Sequence, residues 1–167
     1  MITYGPPFPG SDASPKRPAQ IYFEDVQAGM KLPSKTKGPL TVTDFVVFAG
    51  ASGDFAQIHH DREHAKNIAG LPDLILHGQC KLAFMVQVIT DWIGVEGHIK
   101  KVGGQYRGMD IIGDTVISGG SVARKYVEGG ENLVDLELWN ENPRAGFTVI
   151  GHGTVSLPSQ SSSTATV

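Results

Sequence analysis

The chain has one cysteine, Cys80, in 167 residues, so it can form no internal disulfide. A reducing compartment, the cytoplasm, fits that best, and Cys80 itself reads as a small buried hydrophobe on a helix. Basic residues are too few and too scattered for a nucleic-acid surface: 14 Lys and Arg stand against 17 Asp and Glu, a formal charge of -3. No apolar run approaches the roughly 20 residues of a membrane span, so the chain reads as soluble. Residues 1–20 are rich in Pro, Gly and Ser but lack a basic stretch leading into an apolar run; they read as a flexible arm rather than a signal peptide. Residues 159–167 form a polar, low-complexity tail expected to be disordered. One folded unit, 21–158, remains, with no internal repeat and no dinucleotide or P-loop fingerprint.

Within that unit the periodicity predicts a short first strand at 30–37. Thr41 and Asp44 mark a helix start, the apolar run 45–51 continues it, and Gly53 ends it. A short helix over 61–67 begins near Asp61 and is broken by Gly70-Leu71-Pro72. Residues 79–93 form the most apolar helix, with Leu82, Ala83, Met85, Val86, Ile89, Trp92 and Ile93 at core spacing and Lys81, Gln87 and Asp91 left for the other side. Four strand-like runs follow, at 99–109, 115–127, 133–140 and 147–157. Turn signals separate them, Gly113-Asp114 among them, so they are expected to pair as antiparallel hairpins. Gly103-Gly104 inside the first run predicts a bulge or a close backbone approach. The pattern is α+β, a sheet curled around a central helix.

The chemistry concentrates in residues 50–78. Asp54 lies just past a helix end, and His59 lies five residues on, which is not a facing interval on a regular helix; the two meet only if the backbone between them bends. A carboxylate and an imidazole sharing one water can take a proton from it and return one elsewhere. Alone, Asp54 could be a turn acid and His59 a structural histidine. His60, Asp61 and His64 invite a metal, but adjacent histidines do not readily point at one centre, and none is assigned. His77-Gly78 precedes the apolar helix, with His77 read as fixing the turn by its side chain.

Ser52-Gly53-Asp54, Ile58-His59-His60-Asp61, Leu76-His77-Gly78 and Gly113-Asp114-Thr115 occur here in one order, and that order resembles the MaoC-like dehydratases, or (R)-specific enoyl-CoA hydratases, over about residues 21–157. The resemblance implies a hotdog fold, an antiparallel sheet wrapped around the central helix. It implies reversible hydration of an (E)-2-enoyl-CoA to the (R)-3-hydroxyacyl-CoA, as in fatty acid metabolism. Asp54 and His59 are then the catalytic pair, the Gly78 backbone N–H the oxyanion hole, and Ser52, Gly53, Ile58 and His77 substrate-binding or supporting residues. No cofactor or metal is implied. The implied partners are an acyl-CoA or acyl carrier protein thioester and further hotdog chains, in a homodimer, a higher homo-oligomer or a heteromer. Two positions depart from the family's pattern: Ala56-Gln57 stands where Asn-Pro is usual, and residues 80–89 carry no serine. A hotdog acyl-CoA thioesterase would share fold and ligand but would typically lack the Asp and His pair. A non-catalytic acyl-binding subunit would need a second hotdog chain for activity.

Overall fold

The computed structural model describes residues 19–160, so residues 1–18 of the expected arm and 161–167 of the expected tail lie outside the described residues. Contacts at both ends come early: the Gln20 amide donates to Ile93 O at 2.8 Å, and Gln160 N donates to Glu24 Oε2 at 3.1 Å. The elements are β1 (Lys35–Lys37), α1 (Val42–Ser52), α2 (Gly78–Ile93), β2 (His98–Tyr106), β3 (Val116–Glu128), β4 (Glu131–Asn142) and β5 (Gly146–Ser156). The strands make one antiparallel sheet in the order β1-β3-β4-β5-β2. This is the expected α+β architecture, a five-stranded antiparallel sheet packed against one long helix. No helix among the described residues is long and apolar enough to cross a membrane.

The sheet order corrects one expectation. β2 and β3 are consecutive but do not pair; β2 lies against β5 at the far edge. The connection over 107–115 can reach about 30 Å when extended, and the three strand spacings it must cross total only about 15 Å. Gly113 and Asp114 still make a turn, closed by Asp114 N donating to Ile111 O at 3.1 Å, but it belongs to a crossover rather than a hairpin. The bulge also moves: the β2–β5 register shifts between Ile99 and Lys101, while Gly103 and Gly104 pair regularly. Their missing side chains serve close approach instead, since a Cβ on Gly104 would meet Met85 Cε at 3.3 Å. The expected first strand, 30–37, shortens to β1 plus an isolated Lys31–Ser121 bridge.

The main core is built from Met85, Val88, Ile89, Trp92 and Ile93 of α2 against Val122, Val134, Leu136, Leu138, Val149 and Val155 of the sheet. The sheet-facing stripe of α2 is rotated from the predicted one: Ala83 is exposed, Leu82 and Val86 are half-buried, and Lys81 is buried. A second cluster of Leu40, Phe45, Ala65, Leu74, Leu76, Cys80 and Val116 fastens α1 and the segment after it to α2. Burial pushes the Cys80 thiol up to about 12, so it packs as a hydrophobe.

Candidate active site

Asp54 owes its place to the end of α1. Thr41 and Asp44 cap the start reciprocally, Asp44 N donating to Thr41 Oγ1 and Thr41 N to the Asp44 carboxylate at 2.7 Å. Gly53 closes the helix in the left-handed conformation, φ 75°, with its N–H on Ala49 O. The Ser52 hydroxyl donates to Phe48 O at 2.7 Å and accepts from Asp54 N at 3.3 Å, so it fixes the backbone that carries the acid. Ala56 N in turn donates to Asp54 Oδ1 at 3.3 Å, and the carboxylate stays 44% exposed.

The bend that the five-residue interval demands is a 3-10 turn, Gln57–His59. It is docked on Ile75 from both sides. Ile75 N donates to Ile58 O at 3.2 Å, and the ring of His59 donates from Nδ1 to Ile75 O at 2.7 Å. Nδ1 therefore carries a proton, and Nε2, a bare acceptor in the neutral ring, faces Asp54 Oδ2 at 3.9 Å. Ile58 thus contributes its backbone to the turn, and His59 is buried.

His77 sits at the N-cap of α2 but makes no capping bond with its side chain, contrary to the expectation that it fixes this turn. It reaches back across the site. Nε2 donates to Asp54 O at 3.1 Å, and the ring stacks on His59 with centroids 3.6 Å apart and planes 21° from parallel. Phe48 packs against it at 5.0 Å. Burial holds the basicity of His77 below the ordinary imidazole range, and the neighbouring His59 adds to that.

The first N–H groups of α2 have no intrahelical partner, and Gly78 N finds no acceptor among the described residues. The space that its missing side chain leaves is taken by Tyr106, whose Cζ would lie 3.1 Å from a Cβ there. The phenol end of an exposed ring thus packs where a side chain at Gly78 would stand.

Sequence reasoning missed the polar group beneath that start. Lys81, buried on α2, donates to Gly108 O at 2.7 Å and lies 3.1 Å from Asp110 Oδ2. Asn142 Nδ2 donates at 2.8 Å to both Asp110 Oδ1 and Asp114 Oδ2, and Arg144 clamps Asp114 from outside. Burial pushes the Asp114 carboxyl up, but Arg144, the Ile111 N–H and Asn142 outweigh it and hold it below the usual range. Lys81 read as the solvent side of an apolar helix, and no spacing ties it to an acid in a crossover loop.

Asp54, His59 and His77 place potential ligand atoms within 4.8 Å of one another, but two of the four ring nitrogens are spent on carbonyls. Stacked rings also aim their lone pairs side by side rather than at one point, so the cluster suits proton transfer better than a metal. His60 turns its ring away, to Phe55 O at 3.0 Å. An apolar cavity of about 840 Å³ lies behind Phe48 and Leu76, reaching Cys80 and Phe84; neither Asp54 nor His59 lines it.

The model of the MaoC like domain matches residues 25–125. The peroxisomal enoyl-CoA hydratase 2 of Arabidopsis thaliana is 36% identical over 69 residues, 40% of this chain; that match spans only 22% of the plant protein. A chain of the ChsH1-ChsH2 complex of Mycobacterium tuberculosis is 25% identical with a TM-score of 0.69, over 78% of this chain and 98% of that one. The R-hydratase PhaJ1 of Pseudomonas aeruginosa superposes with a TM-score of 0.75 at 21% identity, over 84% of this chain and 88% of its own, a likeness of fold. With more than half its length matched by the domain model and the hotdog sheet around its central helix, the chain belongs to the MaoC-like dehydratase family.

Proposed function

We propose that the chain hydrates (E)-2-enoyl-CoA thioesters to (R)-3-hydroxyacyl-CoA, or runs the reverse dehydration, in the cytoplasm. The observation that carries this reading is the bare Nε2 of His59 facing the half-exposed carboxylate of Asp54 at 3.9 Å, close to a helix start with unpartnered N–H groups. One water at about 2.8 Å from each atom fits that gap. As the water oxygen bonds to the β-carbon, one O–H breaks and its proton passes to His59 or Asp54. The C=C π pair becomes a bond between the α-carbon and the carbonyl carbon as the carbonyl π pair moves onto the thioester oxygen, where the Gly78 N–H is the proposed donor; the carbonyl re-forms as the α-carbon takes a proton from the pair. Base and acid are assigned to the pair rather than to either member. Placed acid–base groups contribute about 10²- to 10⁴-fold each, and an oxyanion donor about 10²- to 10³-fold. Ser52 and Gly53 place the acid, and Ile58 places the imidazole.

The test follows the conjugated enoyl absorbance of short, medium and bulky (E)-2-enoyl-CoA thioesters with the purified chain, beside Asp54→Asn and His59→Ala. Wild-type turnover to an (R)-3-hydroxy product, lost by about two orders of magnitude in each variant, is the expected result. Release of free CoA with the double bond intact would instead make this a thioesterase. Inactivity relieved only by a second hotdog chain would make it a subunit of a heteromer.

A further inference from the structure

We propose that His77 is a positioning residue for the Asp54–His59 pair, holding the acid by its backbone carbonyl and the imidazole by its ring face. Only the kinetic part of this rests on the hydratase reading; the geometry stands apart from it.

Three observations converge. The Nε2 bond to Asp54 O, 3.1 Å long, requires the proton of a neutral His77 ring to sit on Nε2. Nδ1 is then a bare acceptor, and it is buried with no hydrogen-bond partner among the described residues. A proton added there would be a buried donor with nothing to receive it, so the local geometry keeps the ring neutral. The charged and titratable groups facing it act in both directions: His59 and His60 oppose its protonation, and Asp54 favours it, while burial is the largest influence and opposes it. His77 therefore stays neutral while His59, stacked on it at 3.6 Å, gains and gives up a proton.

A purely structural role does not account for a histidine here. The site leaves one ring nitrogen unsatisfied, and the side chain does not cap its helix. An apolar ring would fill the same space without an orphaned acceptor. What histidine adds is a donor for Asp54 O and a flat face for His59, one ring joined to both members of the pair. The loop needs such a tie, because Ala56-Gln57 at its bend offers no proline to fix the backbone.

The test compares wild type with His77→Gln, which can donate to Asp54 O but has no ring, and His77→Phe, which can stack but cannot donate. Imidazole ¹⁵N spectra and enoyl-CoA hydration kinetics are recorded for all three. In wild type, His59 is expected as a single Nδ1–H tautomer and His77 as a single Nε2–H tautomer, neutral at pH 7 and protonating only below the ordinary imidazole range. Both variants are expected to fold, to show His59 in mixed tautomers, and to lose about 10- to 100-fold in kcat with KM within about threefold, as for a misplaced reacting group. Folded variants with wild-type His59 signals, or with the loss carried by KM alone, would overturn the proposal. Should a variant fail to fold, a wild-type His77 found as the Nδ1–H tautomer or as a cation at neutral pH overturns it, and the expected tautomers support it. Should wild type hydrate no thioester, the function reading fails while the spectra still decide this one.

Discussion

At the scale of single residues, two opposite charges are buried against each other. Lys81 and Asp110 are both buried, and their contact at 3.1 Å anchors the first turn of α2 to the crossover loop. Removing one partner strands the other as an uncompensated buried charge, which costs about 3–5 kcal/mol, whereas removing both leaves none. Lys81→Met alone is therefore expected to lower urea-unfolding stability by about that much, and Lys81→Met with Asp110→Asn to recover most of it. His77 sets a pH dependence. Its basicity is lower folded than unfolded, so below about 6.5 the unfolded chain binds the proton more readily. Its contribution is complete above that pH and declines as the pH falls toward the folded value. The melting temperature is expected to drop from pH 7.5 to 5.5, and to drop less in His77→Gln; equal drops in the two proteins would remove His77 as the cause.

At the scale of elements, α1 and the turn after it turn a sequence pattern into a placed acid. The capping pair Thr41 and Asp44 and the left-handed Gly53 were legible in the chain because both are local: each depends on residues within one helical turn. Thr41→Ala is expected to cost about 1 kcal/mol through the lost cap. Gly53→Ala forces an L side chain to φ 75° and costs about 1–2 kcal/mol. The two differ in function: Gly53 adjoins Asp54, so its replacement is expected to lower kcat more than Thr41→Ala does at matched stability, read from kinetics beside unfolding curves. The identities Asp54 and His59 were likewise visible, and so was the need for a bend between them. What was not visible is how the bend is held, because Ile75 and His77 come from a segment that the fold, not the spacing, brings alongside. The phase of α2 escaped for the same reason: Lys81 is buried only because Asp110 waits in the crossover.

At the scale of the whole molecule, the hairpin expectation failed where pairing is non-local, and the result of that failure is an edge. Taking β2 past β3 and β4 to lie beside β5 leaves one side of β2 with no strand among the described residues. Long, flat edges are templates for a further strand unless they are blunted. β2 is blunted at one end, by the irregularity between Ile99 and Lys101 and by Lys100 and Lys101, but from Val102 to Tyr106 its register with β5 is unbroken. Beside that stretch Tyr106, Phe147 and Ile150 are exposed. A second β2 laid antiparallel on the first would continue the sheet across two protomers and bring Tyr106, the residue over Gly78, to the junction. The purified chain is therefore expected to run as a dimer by light scattering, with outward-facing β2 amides protected from hydrogen exchange and losing that protection on dilution. A monomer whose β2 amides exchange freely at every concentration would rule out self-pairing at this edge. If the same amides became protected only when another hotdog chain was added, the edge would be the seam of a heteromer.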